Sequence, residues 1–144
     1  MPTVDLVDET FVVADRAVLA AIVADPRRWP AWWPDLQLTV FMDRGLEGIR
    51  WSVTGAYVGS LEIWLEPSGD GVLLHHYARL DPVDRRTGGA LGPPSDVAGW
   101  RRAARARARM ARAWKRDVWA LKDELEADRA VGEPRPGARN PASP

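Results

Sequence analysis

The segment VAGWRRAARARARMARAWKRDVWALKDEL, from Val97 to Leu125, contains no proline and no glycine after Gly99. Its Ala, Arg, Leu and Met content predicts one helix of about seven turns beyond that glycine, and the rest of the chain must cover one side of it. Ser95 or Asp96 is the natural N-cap, after Gly92, Pro93 and Pro94. At about 100° per residue, Trp100, Ala104, Ala111, Trp114, Val118, Leu121 and Leu125 share a face, while Arg101, Arg102, Arg105, Arg109, Arg112 and Arg116 crowd the opposite one. Arg107 interrupts the apolar stripe. It is therefore expected to project between the helix and whatever packs on it, where a guanidinium needs an anionic partner.

Ahead of this helix the apolar period drops to two. Strands are expected near residues 4–13, 36–42, 48–54, 58–66 and 72–80, with turns at DRG, TGAY and PSGDG. Alternation assigns Leu36, Leu38, Val40 and Met42 to an inner face, with Ile49, Trp51 and Val53, then Leu61, Ile63 and Leu65, then Val72, Leu74, His76, Ala78 and Leu80. Gln37, Arg50, Ser52, Glu62, Glu66, His75 and Arg79 fall on the other, wet face. Between the first two strands, Asp15 is placed to cap a short helix with Val18, Leu19 and Ile22 as its contacts. PRRWPAWWPD then packs three tryptophans and three prolines into ten residues, a rigid turn or short helix that plugs the core edge. One long amphipathic helix lying across one apolar sheet face is the packing solution, an α+β architecture.

These segments resemble the START-like helix-grip superfamily (SRPBCC), in particular its bacterial polyketide cyclase/dehydrase and lipid-transport-like branch. The matching residues are DETFVVADRAVLAAIVADPRRWPAWWPDL at Asp8 to Leu36, GSLEIWLEPSGDGVLLHHYARL at Gly59 to Leu80, and the long helix. Within them, W-P-x-W-W-P at Trp29 to Pro34 and L-E-P-x-G-D-G at Leu65 to Gly71 carry the likeness. The resemblance implies a curved antiparallel sheet of about five to seven strands wrapped around the C-terminal helix. It implies one domain over residues 1–130, and a disordered tail is read for 131–144 from its prolines. It also implies an internal pocket holding a lipid-like or polyketide-like small molecule, but no portable catalytic motif, because members range from carriers to cyclases. Members usually have seven strands; about five are legible here, and the shortfall lies between Met42 and Val58.

Within such a pocket, Arg107 would hold an anionic ligand group or pair with Glu47, which strand alternation turns inward. His76 would serve as proton shuttle in a cyclase or dehydratase reading, or as a hydrogen-bonded core residue. Trp51, Trp100 and Trp114 map to inward positions, either to stack on a planar ligand or to fill a core that has only two phenylalanines. Three functions stay open: a binding or transport module for a hydrophobic small molecule, an enzyme using His76 and Arg107, and a cavity-less interaction protein using the basic helix face.

The absence of cysteine excludes thiolate chemistry and disulfides, and two adjacent histidines do not make a metal site. No metal or cofactor is implied. With no cationic leader and no long apolar run, the chain reads as cytoplasmic. Its net charge of zero hides an asymmetry: residues 1–99 carry 8 basic against 14 acidic side chains, and residues 100–144 carry 12 against 6. The arginine face reads as solvated surface. Zero net charge and the lack of a motif argue against nucleic acid, and Trp119 as the single large apolar group among the arginines argues against a peripheral membrane contact. That exposed Trp119, with the long loop from Asp81 to Pro94, marks a contact for a partner or for a second copy in a homodimer.

Overall fold

Period-two alternation in the first eighty residues yields one antiparallel sheet. The computed structural model describes residues 2–126, so the proline-rich tail expected at 131–144 lies outside the described residues. Strands β1 (Val4–Val12), β2 (Leu36–Asp43), β3 (Gly48–Gly55), β4 (Tyr57–Ser68) and β5 (Gly71–Pro82) are ordered β1-β5-β4-β3-β2. Helix α1 (Arg16–Val23) and the single turn α2 (Trp29–Trp32) connect β1 to β2, a 3-10 turn at Gly45–Glu47 precedes β3, and α3 runs from Val97 to Glu126. This is a helix-grip arrangement, a five-stranded curved sheet closed over by a long C-terminal helix.

Local chemistry explains the boundaries. Asp15 caps α1 by accepting from the Ala17 amide at 2.8 Å, and Asp96 caps α3 by accepting from the Gly99 amide at 2.7 Å. Trp29 and Pro30 open α2, whose indole Nε1 of Trp29 donates to the Val23 carbonyl at 2.9 Å and folds the turn back under α1. Arg28 then makes two hydrogen bonds to Glu124, at 3.0 and 2.9 Å, tying the tryptophan-rich turn to the far end of α3.

Gly59 sits inside the sheet with φ at 146°, paired to Val53 on one side and Leu80 on the other. A Cβ at that position would run into the Arg79 carbonyl oxygen. Glycine is thus required for the strands to approach and bend here.

The concave face holds the core. Val4, Leu6, Val12, Ile49, Trp51, Val53, Leu61, Ile63, Leu65, Val72, Leu74 and Leu80 are buried there with Trp114, Val118 and Leu121 of α3. Two expected inner-face positions are corrected: Val40, still paired with Trp51, is exposed because edge strand β2 runs out beyond the cover of α3, and Met42 is exposed because a bulge after Val40 turns it to the other face. In α1 the buried residues are Leu19, Ala20 and Val23, and Val18 faces solvent.

α3 lies along edge strand β1 and closes it. Arg107 Nε donates to the Asp5 carbonyl at 3.0 Å, Lys115 Nζ to the Glu9 carbonyl at 3.2 Å, and Lys122 Nζ to the Phe11 carbonyl at 2.8 Å. Seven- and eight-residue spacing on the helix thus delivers a cation to three outward carbonyls of the strand, those of Asp5, Glu9 and Phe11. Such capping blocks the template that a bare sheet edge offers to other chains. Beneath it, Asp8 accepts from Thr10 at 3.1 Å and from Trp114 Nε1 at 3.2 Å, and pairs with Lys115 at 2.9 Å.

Candidate functional site

The space between sheet and helix is organised by aromatic rings. Trp33 stacks on Trp114 with centroids 5.6 Å apart and planes 3° from parallel, and meets Trp51 edge-on at 5.3 Å. Trp29 abuts Trp51 from the other side at 5.3 Å, and Trp32 meets both Trp33 and Trp114. His76 lies against Trp114 at 4.3 Å. Edge-to-face and stacked pairs of this kind add to area burial and fix ring orientation.

On one flank of this cluster a cavity of about 310 Å³ opens between sheet and helix. Leu6, Tyr57, Leu61, Ala78 and Leu80 line it from the sheet, Trp32 and Trp33 from the connection between β1 and β2, and Ala106, Met110 and Trp114 from α3. Charge is confined to Asp35, Arg109, Arg116 and Asp117. Burial raises the Asp117 carboxyl above its ordinary value, with Arg116 at 3.8 Å opposing that shift. A second cavity of about 510 Å³ adjoins it and shares Tyr57, Ala106 and Arg109; its outer wall is Leu91, Pro93, Pro94, Gly99 and Arg102.

His76 is the one titratable group deep in the first cavity. It is 2% exposed, with Nδ1 at 3.2 Å from the Glu62 carbonyl, the tautomer that donates there being the one that satisfies both groups. Burial pushes its pKa down to about 4, against smaller upward effects of the Glu62 carbonyl and Asp8. The folded protein therefore binds this proton less readily than the unfolded chain, with its ordinary value of about 6.5. The stabilisation is complete above pH 6.5 and lost as pH falls towards 4, by about 3 kcal/mol in all. Urea unfolding of the wild type and His76→Gln between pH 7.5 and 4.5 checks this: the wild type should lose more stability than the variant, and equal losses would show that His76 is not buried neutral.

The expected site residues divide. His76 and Trp114 line the cavity together. Trp51 is fully buried behind Trp33 and contributes to the core. Arg107 is corrected: it is exposed at the outer rim of β1, bonded to a backbone carbonyl, and is not part of the cavity wall. Glu47 is also exposed, in the 3-10 turn, at 3.8 Å from Arg44 and not turned inward. Trp100 is 47% exposed on the outside of α3. His75, expected in water, is buried on the convex face between Trp64, stacked at 4.4 Å, and Tyr77, with Glu66 at 2.8 Å.

Arg109, Met110, Tyr57, Trp32 and Trp33 were missed as cavity residues. Spacing back from Trp114 by four and three residues, through Met110 and Ala106 to Ala103 and Gly99, traces the buried line in the N-terminal half of α3. The line through Arg107 and Trp100 instead follows a seven-residue step, which drifts by about 20° per step on a straight helix. The buried line turns the opposite way from that drift, which leaves Arg107 and Trp100 outside it.

The sequence matches no family model and no curated protein. Among solved structures, the chain is similar to the Aha1 dimer from Colwellia psychrerythraea, at 12% identity and a TM-score of 0.55, over 88% of this chain and 99% of that one. It is also similar to DR_A0006 from Deinococcus radiodurans, at 14% identity and a TM-score of 0.58, over 85% of this chain and 97% of that one. At such identities the likeness is one of fold, and it agrees with the helix-grip architecture.

Proposed function

We propose that this chain is a divergent START-like domain that binds a hydrophobic small molecule between its sheet and α3. The observation that carries this reading is the apolar cavity of about 310 Å³ beside the tryptophan cluster, within the range of small-ligand sites. Its lining is aromatic and aliphatic at depth, with Arg109, Arg116, Asp35 and Asp117 at its charged margin. A ligand with an apolar body and a polar end fits that distribution. A cyclase or dehydratase reading is less well supported. A histidine held neutral down to about pH 4 is a weak base and donates no proton near neutrality. A cavity-less interaction protein fits less well still, since two adjoining cavities are present.

Ala106 faces both cavities and is the place to test this. Ala106→Phe should fill the shared wall and reduce binding of an apolar fluorescent probe such as anilinonaphthalene sulfonate by about tenfold or more, given the steric cost of overpacking. Native mass spectrometry of the purified wild type should show a co-purified lipid-like or polyketide-like mass that the variant lacks. Probe binding unchanged in Ala106→Phe, with no co-purified mass in the wild type, would overturn the reading. The same spectrum reports whether this chain, like the Colwellia protein, is a dimer.

A further inference from the structure

Folding alone does not account for the arginines at the start of α3. From Val97 to Arg116 the helix has no acidic residue. Arg101 and Arg105, Arg105 and Arg109, and Arg112 and Arg116 are stacked one turn apart, where like charges repel. Arg101 and Arg102 lie near the positive end of the helix dipole, which disfavours them further. Among the described residues, Arg101, Arg102, Arg105, Arg109 and Arg112 make no ion pair with an acid, whereas Arg107, Lys115 and Lys122 all have partners on β1.

The same end of the helix exposes apolar groups that its sequence did not lead one to expect there. Val97 is 67% exposed, Trp100 47% and Leu91, in the preceding loop, 45%. Val97 and Trp100 stand about one turn apart, and Arg101 follows one turn beyond Val97. Gly99 packs against Pro94 and Asp96, which brings the Leu91–Pro94 loop against this first turn. An unpaired cluster of arginines beside one exposed indole and two exposed aliphatic side chains is the composition that binds an interface of phosphate headgroups and acyl chains. A nucleic acid would use the arginines and the indole but gains nothing from Val97 and Leu91.

We propose that the N-terminal end of α3, with the Leu91–Pro94 loop, docks on an anionic lipid bilayer. Arg101, Arg102 and Arg105 pair with headgroup phosphates while Leu91, Val97 and Trp100 enter the headgroup layer. No helix among the described residues is long and apolar enough to cross a membrane, so this is contact with the surface. The cavity of about 510 Å³ is walled by Leu91, Pro93, Pro94 and Arg102 and would open at the docked surface. Docking itself does not depend on the cavity being filled.

Sedimentation of the full chain with vesicles tests the proposal. Binding is expected to vesicles of phosphatidylcholine with phosphatidylserine, not to phosphatidylcholine alone, and to fall as salt is raised. The triple variant Arg101→Gln, Arg102→Gln, Arg105→Gln should weaken binding about 100-fold. Trp100→Ala should weaken it as well, while Trp119→Ala, about five turns further along the helix, should leave it unchanged. All of these positions are exposed, so thermal unfolding should match the wild type. Ala106→Phe should still sediment with the vesicles, which separates failure of ligand binding from failure of docking. Equal binding to both vesicle types, indifference to the triple variant, or tighter binding to a single-stranded oligonucleotide than to anionic vesicles would each overturn the proposal.

Discussion

Replacing Trp114 by alanine is expected to lower the unfolding free energy by about 3–5 kcal/mol, read from urea unfolding at neutral pH. The indole is 3% exposed, stacked on Trp33, in contact with His76 and Trp32, and bonded through Nε1 to Asp8. Truncation removes the piece of α3 that engages both the tryptophan-rich turn and β1, and leaves Asp8 one donor short. Trp114→Phe divides the effect. It keeps an aromatic ring against Trp33 but loses the hydrogen bond, so its cost should be nearer to about 1.5–3 kcal/mol, the value of a bond to a charged acceptor. A loss below about 1 kcal/mol for the alanine variant would show that the ring cluster does not hold helix to sheet.

The second large effect is expected from the smallest addition. Gly59→Ala should destabilise by about 3–5 kcal/mol or prevent folding, because the new methyl group meets the Arg79 carbonyl while φ at 146° is itself strained for any L side chain. Gly69→Ala provides the comparison: it also has positive φ, but a Cβ there meets nothing within 4 Å. Its cost should stay near the 1 kcal/mol or so of backbone strain alone. If both variants unfolded at the same urea concentration, close approach inside the sheet would not be what requires Gly59.

Much of the architecture was legible because period and punctuation agree. Strand alternation from Leu36 to Leu80, the PSGDG turn and the Asp15 and Asp96 caps each correspond to an element of the expected type in the structure. Strand alternation also turned His76 inward correctly. It failed at Met42, where one bulged residue reverses the facing, and at Val40, which keeps its facing but lies uncovered on an edge strand; periodicity sees neither a bulge nor an edge. It misjudged His75 because a residue pointing away from the core can still be buried by its own neighbours, here Trp64 and Tyr77.

The site was less legible than the fold. Helical periodicity defines which residues share a face but not the angle at which that face meets a twisted sheet. Along α3 the buried line shifts from the Trp114 side towards the Ala106 side. Arg107 and Trp100 fell on the wrong side of that line, and Arg109 and Met110 on the right one. Glu47 failed for a different reason: three residues of 3-10 turn precede β3, so strand facing does not extend back to it.

Arg107, Lys115 and Lys122 carry a further consequence for stoichiometry. They occupy three outward carbonyls of β1, so a strand added at that margin would have to displace them, whereas α3 supplies no such bond to the other margin, β2, among the described residues. A sheet that can be extended on both sides polymerises; one that can be extended on one side stops at a pair. Three cations spaced along one helix therefore bias any assembly this chain builds by strand addition towards a pair joined through β2.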